Sequence, residues 1–419
     1  MLENLIKKGI KKSDLELRDE ILSGTKDKKE IYKNSCYEVM VHKLCNEKCF
    51  FCSQDHESRT KAEKPNDNEI YKRILFGAKQ GYGMLGFTGG EPLTHPNIMK
   101  YIKFGRKAGF NYVRVQTNGV MLGKPGFADK CVDAGATLFK LSVHHYKPEI
   151  HDYLVGLPGA LDKVIYGIKE LKKKGSRIGI NIVLTKQNYK DLPDILLYYL
   201  DLGITVFVVI FPLYENSMKD EAKLVGFKFT DTIPYIVKSL HIFDKLGLKR
   251  PLVLNMPMCL LPGYESAIIQ TFNGTAVLNL DGSKTNIDDN KAGGKKRVKI
   301  CKDCKHNKIC FGVDEEYIKN WGESEFESKM ENIDLSFSLD ELNLKEYFTE
   351  DELCFLEILN VKDKVGVEDI IKIKDKIQIC QDCDSLNKII STGDLLVKKG
   401  YIKKELVKGK IIFSKIMSK

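Results

Sequence analysis

Apolar runs and helical patterns alternate strictly from residue 37 to residue 210. Runs rich in β-branched or aromatic residues predict strands at 37–43, 84–87, 112–116, 137–143, 177–184 and 204–210. Amphipathic patterns that end at glycine predict helices at 67–80, 97–108, 126–134, 161–174 and 192–202. This order predicts parallel strands joined by right-handed crossovers. Six units are too few to close an eight-stranded barrel, so the chain is predicted to form an α/β fold with an open, partial (β/α)6 TIM-like barrel.

Three cysteines follow the first predicted strand. Cys45, Cys49 and Cys52 have the spacing C-x3-C-x2-C. Three thiolates can hold three irons of a [4Fe-4S] cluster and leave the fourth iron open to a ligand that is not protein. An incomplete zinc site, or three reduced thiols, is the alternative interpretation of the spacing alone.

A second motif follows the second predicted strand. Gly89, Gly90, Glu91 and Pro92 form a G-G-E-P turn, and the aromatic Phe51 precedes the third cysteine. With these two motifs in this order, the chain resembles the radical S-adenosylmethionine (radical SAM) superfamily. The resemblance covers residues 36–215 closely and continues loosely to about residue 315.

The resemblance implies a cofactor and its contacts. S-adenosylmethionine would chelate the open iron and be cleaved to methionine and a 5'-deoxyadenosyl radical, which makes a one-electron reductant such as flavodoxin or ferredoxin a necessary partner. The G-G-E-P turn would hold the methionine amino group mainly through its backbone, and Phe51 would pack near the adenine. Polar residues at the carboxyl ends of later strands are further candidates, namely Asn118, Ser142 and Asn181.

His144 is the candidate catalytic residue because it directly follows the fourth predicted strand, at the mouth where an imidazole could donate a proton. A polar rim or a helix-capping role is the alternative for His144, and more so for His145 and His151. The segment 81–86 also fits G-x-G-x-x-G, but it precedes a strand instead of opening a helix. It is therefore predicted to be a helix stop and loop without a nucleotide role.

A second cysteine group follows the barrel, after a predicted helical connection at 213–250. Cys259, Cys301, Cys304 and Cys310 resemble the Twitch and SPASM modules of radical SAM enzymes, and a hairpin is predicted between them near 275–282. A full SPASM module has a further cysteine at the position of Asp314, so one auxiliary cluster with these four ligands is expected. A structural zinc site is the alternative.

The remaining segments complete four predicted regions: a helical lead-in (1–35), the radical SAM barrel (36–215), the auxiliary-cluster region (216–334) and a small α+β accessory domain (335–419). In the last region a helix at 385–399 and a hairpin of 401–403 with 410–413 have the outline of a winged helix. Cys354, Cys380 and Cys383 are additional cysteines whose role the sequence leaves open.

Composition narrows the class of protein. The chain has 419 residues, 43% of them hydrophobic, and no apolar run or signal-peptide pattern that would indicate a membrane or secretory route. Twelve cysteines without such a route predict a cytoplasmic protein with metal or redox chemistry. The net charge of +10 is spread along the chain and does not by itself indicate nucleic acid.

The sequence alone does not identify the substrate. A peptide or protein is the first hypothesis because of the auxiliary and accessory regions. A small-molecule cofactor or natural product is the second, and RNA is the third. A zinc-stapled binding protein without enzymatic activity is the remaining alternative.

Overall fold

The computed structural model describes residues 33, 35–54, 56–61, 66–269, 276–279, 284–286, 294–307, 310–327, 348–374, 386–399, 401–407 and 410–415. Its main feature is a nine-stranded sheet with the order β7-β6-β5-β4-β3-β2-β1-β8-β9. The strands are β1 Cys36–Met40, β2 Met84–Thr88, β3 Tyr112–Thr117, β4 Leu138–Ser142, β5 Arg177–Val183, β6 Val206–Ile210, β7 Leu252–Leu254, β8 Ala276–Leu278 and β9 Lys284–Asn286.

Helices connect the parallel strands as predicted. Among the described residues up to 245, the helices are α1 His56–Lys61, α2 Asp67–Lys79, α3 Ile98–Lys107, α4 Phe127–Ala134, α5 Pro148–Val155, α6 Ala160–Lys173, α7 Leu192–Asp201, α8 Ser217–Asp220, α9 Ala222–Val225 and α10 Phe229–Lys245. The five predicted crossover helices correspond to α2, α3, α4, α6 and α7 within one residue at each end. The partial TIM-like barrel is therefore confirmed.

Alternation of side chains along the strands separates the two faces of the sheet. On β1, Tyr37 and Val39 have no exposed surface, and the ring of Tyr37 packs against Phe76 and Tyr82 at the end of α2. A Cβ atom on Gly77 of α2 would lie 2.3 Å from that ring, so glycine lets the helix approach the strand. The convex face carries the apolar core, and the alternate residues line the concave face.

The sheet is larger than predicted. β7 lies in parallel register beside β6, through Val208 with Leu252 and Ile210 with Leu254. β8 pairs in parallel with β1, and β9 pairs in antiparallel orientation with β8. The six-strand prediction missed β7 because a run of three residues is too short for a periodic pattern. It missed the attachment of β8 because only the tertiary structure brings residues 276–278 to the free edge of β1.

Short elements follow the barrel: β10 Lys295–Lys296, β11 Val313–Asp314, α11 Glu315–Trp321 and α12 Ser324–Glu327. β10 and β11 form an antiparallel pair on either side of the cysteines at 301–310. The predicted helical connection at 213–250 is present as α8, α9 and α10.

The C-terminal region has the element order of a winged helix. It comprises α13 Glu350–Val361, β12 Lys364–Gly366, α14 Val367–Lys374, α15 Leu386–Lys399, β13 Ile402–Val407 and β14 Lys410–Lys415. Its sheet has the order β12-β14-β13, so the last two strands form the wing. The predicted helix and hairpin are both present. Phe413 and Leu396 are fully buried and belong to the core of this small domain.

The chain divides into two compact units. One contains residues 1–189, 208–233 and 252–332, and the other contains 190–207, 234–251 and 333–419. The domain boundaries predicted at residues 215 and 334 remain predictions. The lead-in at 1–35 lies almost wholly outside the described residues, and Cys380 and Cys383 lie outside them too. Within the described ranges, no helix has the length and apolar character needed to cross a membrane.

Candidate active site

The first cysteine loop leaves the carboxyl end of β1 and is fixed by backbone hydrogen bonds. The amide of Cys45 donates to the carbonyl of Arg59 in α1 (3.2 Å), and the amides of Lys48 and Phe50 donate to Val155 and Leu154 of α5 (2.8 and 3.2 Å). The negative charges of Cys45 and Cys52 contribute to raising the pKa of Cys49, so the three thiols lie together. The loop thus presents three sulfur atoms at one end of the barrel.

The G-G-E-P turn at the end of β2 is bound directly to this loop. The amide of Gly90 donates to the His42 carbonyl and that of Glu91 donates to the Leu44 carbonyl, both at 2.8 Å. A Cβ atom on Gly90 would lie 2.1 Å from the Leu44 oxygen, and one on Gly89 would lie 2.1 Å from the His42 oxygen. The two glycines are therefore required for the turn to touch the cysteine loop.

Glu91 links the ends of β2 and β3. Its carboxylate accepts hydrogen bonds from Thr117 Oγ1 (2.6 Å) and from the backbone amides of Asn118 (2.7 Å) and Leu93 (2.9 Å). Burial raises the pKa of Glu91 to about 7, although these donors favour the ionised form. The Glu91 oxygens already accept hydrogen bonds from these protein groups. We therefore expect the turn to contact a ligand through its backbone. Pro92 then begins a short 3-10 turn.

Asn118 and the cysteine loop are also joined. Its Nδ2 donates to Asn46 Oδ1 (2.8 Å), while its Oδ1 accepts from the Val120 amide (3.1 Å). Ser142 and Asn181 are neighbours in the register of β4 and β5. Asn181 is 7% exposed, and its Oδ1 has no hydrogen-bond partner among the described residues. That oxygen is available to a ligand at the concave face.

His144 lies beside Phe51 instead of on an exposed rim. The two rings are edge-to-face with centroids 4.5 Å apart, and His144 is 1% exposed. Its Nδ1 accepts a hydrogen bond from the Val183 amide (3.1 Å), so the neutral ring carries its proton on Nε2. Burial lowers the pKa of His144 well below its ordinary value. A neutral imidazole at pH 7 suits hydrogen-bond donation better than proton transfer.

His151 supports His144 from behind. Its Nδ1 accepts from the His144 amide (3.2 Å), and the two rings are stacked with centroids 5.8 Å apart. Burial lowers the pKa of His151 to about 4. His145 is fully buried, and its Nδ1 accepts from the Lys147 amide (2.9 Å). Both histidines are fully buried and accept hydrogen bonds from backbone amides.

Burial and neighbouring acids work against thiolate formation in the first group. Burial, together with the charges of Glu91 and Glu47, raises the pKa of Cys45 to about 12. Burial and the nearby Glu47 carboxyl also raise the pKa of Cys49. Thiolates here need a cationic partner, which iron would supply. A donor set of three cysteine sulfurs fits an iron-sulfur cluster.

Two parts of this site, helix α5 and Glu47, were not predicted from the sequence. Helix α5, which anchors the cysteine loop, has only eight residues, although Pro148 at its start and Gly156 after its end (φ 64°) are typical boundaries. Glu47 is 5% exposed, and its Oε1 has no hydrogen-bond partner among the described residues. No periodic pattern marks a single acid inside a loop, so only the fold shows that it is buried.

The second cysteine group also assembles. Cys259 lies in the turn Met258–Leu260, Cys301 lies in the turn Lys299–Asp303, and Cys304 and Cys310 follow. Burial raises the pKa of Cys259 to about 12, and the charges of the other three cysteines add to the shift, so all four are neighbours. Asp314, at the position of the missing SPASM cysteine, instead caps α11 by accepting from the amides of Glu316 (2.9 Å) and Tyr317 (3.1 Å).

The segment 81–86 runs from the end of α2 into β2. Gly81, with φ 86°, ends α2, and Gly86 lies within β2, so the segment 81–86 is the helix stop and loop that was predicted. Among the residues that the structure describes, no three His, Cys, Asp or Glu side chains converge closely enough to hold a single metal ion. Metal at either cysteine group therefore remains a proposal.

Comparisons with known proteins agree with this geometry. Residues 39–199 match the model of the radical SAM superfamily. The chain is 31% identical over 168 residues to the "Probable GTP 3',8-cyclase" of Sulfurisphaera tokodaii, covering 40% of this chain and 52% of that protein. It is 30% identical over 182 residues to the AdoMet-dependent heme synthase of Methanosarcina barkeri, covering 43% of this chain and 51% of that protein. The chain thus spans about half the length of these curated relatives.

A solved structure shares the fold. The structure of Streptococcus suis SuiB bound to the precursor peptide SuiA aligns with a TM-score of 0.52 and 15% identity, covering 72% of this chain and 76% of that chain. The match of residues 39–199, the cysteine loop and the partial barrel together show that this part of the chain is a radical SAM domain.

Proposed function

We propose that this protein is an enzyme that reductively cleaves S-adenosylmethionine and abstracts a hydrogen atom from a peptide or protein substrate. The observation that carries the proposal is the junction of the two motifs. The cysteine loop and the G-G-E-P turn are hydrogen bonded to each other through Gly90 and Glu91 at the mouth of the barrel. Both elements of a cofactor site are thereby held in one place.

In this proposal Cys45, Cys49 and Cys52 hold a [4Fe-4S] cluster whose fourth iron binds S-adenosylmethionine. When bound, the cluster supplies the electron that splits the cofactor into methionine and the 5'-deoxyadenosyl radical. An external one-electron reductant such as flavodoxin or ferredoxin renews that electron.

The chain's own residues orient the cofactor. The backbone of Gly89 and Gly90 faces the methionine amino group, because the Glu91 carboxylate is occupied by Thr117 and Asn118. Phe51 and His144 form an edge-to-face pair against which the adenine packs, with His144 Nε2 as donor. The free Oδ1 of Asn181 and the neighbouring Ser142 are the contacts for the ribose and carboxylate.

For the second group we propose one auxiliary [4Fe-4S] cluster with Cys259, Cys301, Cys304 and Cys310 as ligands. Four protein ligands leave no iron for substrate, so the role is electron transfer. A structural zinc ion is the alternative occupant of the same thiols.

Two observations bear on the substrate. A winged-helix domain and a second cysteine group accompany the barrel, which favours a macromolecular substrate such as a peptide. SuiB, which shares the fold, is bound to its precursor peptide in its own structure. The second candidate is a small-molecule cofactor, which the sequence relatives favour through names such as GTP cyclase, heme synthase and a tungsten-cofactor-modifying protein of Pyrococcus furiosus (27% identical over 218 residues). RNA modification and a zinc-stapled binding protein have no such support. We place the activity in the cytoplasm.

The test uses the full chain purified and reconstituted without oxygen. Iron, sulfide and zinc are measured per chain, followed by 5'-deoxyadenosine after addition of S-adenosylmethionine and dithionite. About eight irons per chain with deoxyadenosine is the expected result for two cubanes. About four irons per chain with deoxyadenosine would show that the second cysteine group holds no iron-sulfur cluster. Zinc without iron and without deoxyadenosine would overturn the enzyme proposal.

A further inference from the structure

The concave face of the barrel is lined by positions that alternate with the buried convex residues. On β1 to β5 these positions carry four charged side chains, Glu38, Arg114, Lys140 and Arg177. Their convex neighbours, such as Val113, Val115, Phe139 and Leu141, have no exposed surface. Arg177 is exposed at the start of β5, so Arg114, Lys140 and Glu38 remain inside the barrel, two cations against one acid.

Glu38, Arg114 and Lys140 lie close to one another inside the barrel. Arg114 Nη2 donates to Glu38 Oε1 in a buried ion pair, while Arg114 Nε has no partner among the described residues. A Cβ atom on Gly86 would meet Cys36 Sγ and Glu38 Cγ at 3.0 Å and Arg114 Nη2 at 3.3 Å. The charges of Arg114 and Lys140 both lower the pKa of the Cys36 thiol, although burial raises it more. Lys140 and Arg114 therefore flank the same point of the concave face.

The register places Lys140 directly below the proposed cofactor contacts. Lys140 is paired with Gln116 on β3 and with Gly179 on β5, and Ser142 with Asn181 is the next inward pair toward the mouth. Gly179 has no side chain to fill the space beside Lys140. A ligand group at Lys140 would thus lie one layer deeper in the barrel than the proposed cofactor contacts at Ser142 and Asn181.

The opposite part of the concave face is aliphatic. β6 and β7 contribute Val208, Ile210, Leu252 and Leu254, which face each other in parallel register. The described residues at these positions include no polar side chain. A cationic wall opposite an aliphatic wall selects a ligand that has an anionic group at one end and an apolar portion at the other.

We propose that this concave face binds the anionic group of the substrate, a carboxylate or a phosphate, through Lys140 with Gln116 and Arg114 beside it. The inference rests on the proposed function, because it treats the space below the cofactor as the substrate site. In the peptide case the group is an acidic side chain. In the small-molecule case it is a phosphate or carboxylate of the substrate itself.

The experiment measures equilibrium binding by calorimetry to the reconstituted full chain with S-adenosylmethionine present. The probes are GTP and a short synthetic peptide of alternating leucine and glutamate, with the leucine-glutamine peptide as its uncharged counterpart. We expect the wild-type protein to bind one or both anionic probes. Lys140→Met should weaken that binding roughly 10- to 100-fold, the value of one charge-assisted hydrogen bond. Lys140→Arg should retain it within about threefold, because the cation is kept.

The control is Lys169→Met, which removes an exposed lysine from the outer helix α6 and should leave probe binding unchanged. Binding of GTP alone that depends on Lys140 assigns the anion to a nucleotide phosphate, and binding of the acidic peptide alone assigns it to a carboxylate. The proposal is overturned if neither probe binds, if Lys140→Met binds as tightly as wild type, or if Lys169→Met loses as much affinity as Lys140→Met.

Deoxyadenosine formation by the same wild-type preparation separates this inference from the proposed function. Lys140-dependent binding without any deoxyadenosine would contradict the proposed radical chemistry and support the anion site. Deoxyadenosine formation without probe binding would support the proposed radical chemistry and contradict the anion site.

Discussion

The two cysteine groups are held by the fold in different ways. The first loop is bonded to distant segments, with Cys45 joined to Arg59, Lys48 joined to Val155, and Gly90 joined to His42. In the second group most bonds of the described residues are local, from Cys304 to Cys301, from Cys310 to His306, and from the His306 amide to Cys304 Sγ, and one side chain, Lys305, reaches the remote Glu265. Only Cys259 comes from elsewhere in the chain. The barrel therefore fixes the position of the first site, whereas the second is a compact loop that one remote ligand completes.

This contrast separates their expected roles. Three thiols at the mouth of a barrel are suited to reaction, because a position stays open next to the concave face. Four thiols, three of them in one local loop, are suited to a closed site for electron transfer or structure. The following predictions test that difference.

The largest effect is expected from Cys49→Ala. Loss of one of three ligands should remove about four irons per chain and abolish deoxyadenosine formation, because no fourth protein ligand replaces the thiolate. Iron analysis and a deoxyadenosine assay after anaerobic reconstitution measure both. Cys131→Ala is the control, since Cys131 is a buried thiol of α4 outside both groups. Full iron content in Cys49→Ala would show that this loop holds no cluster.

Gly90→Ala should be the next most damaging change. The added methyl group would lie 2.1 Å from the Leu44 oxygen and push the turn away from the cysteine loop. A displacement of that order should lower the rate of deoxyadenosine formation by roughly 100-fold. Gly81→Ala is the control, because no atom lies within 4 Å of the Gly81 Cβ position, and the positive φ of Gly81 makes that variant a test of local backbone strain alone. Equal rates for the two variants would contradict the role given to the turn.

Cys304→Ala should have a narrower effect. We expect loss of the second set of irons while deoxyadenosine continues to form, uncoupled from substrate, since the barrel fixes the first site independently. The measurement is the iron content together with the ratio of deoxyadenosine to modified substrate. If Cys304→Ala instead loses one zinc per chain and keeps all of its iron, the second group binds zinc.

The smallest effect concerns acid sensitivity, which should differ between the two sites. The folded pKa of His151 is about 4, below the usual 6.5, so the unfolded state binds more protons between these values. Stability near the first loop should therefore fall as pH drops below 6.5. By pH 5 His151 alone should cost about 2 kcal/mol. At the second group Glu265 has a pKa near 2, so its contribution is lost only as pH falls below about 4.5.

Urea unfolding of the cluster-free protein at pH 7.5 and pH 5 measures this difference. His151→Gln should flatten the pH dependence, because a side chain that does not titrate removes the linkage. An unaltered slope in His151→Gln would show that the histidines behind the loop do not carry the acid sensitivity.

Much of this architecture was predictable from local patterns. The crossover helices end at or just before glycines in a left-handed conformation, such as Gly135 after α4 and Gly203 after α7. β7 and α5 were missed because three- and eight-residue elements carry too little periodicity. The cysteine spacing and G-G-E-P turn predicted the cofactor site because both depend on residues that are neighbours in sequence.

The sequence by itself determined the order of strands and helices, the two cysteine groups and the resemblance of residues 39–199 to the radical SAM superfamily, since each follows from spacing within short segments. Only the tertiary structure decided which distant residues meet. It turned the Glu91 carboxylate toward Thr117 and Asn118, buried His144 against Phe51, and set Arg114 and Lys140 on one concave face. Such contacts depend on the register between strands about 25 or more residues apart in sequence, which no local pattern encodes.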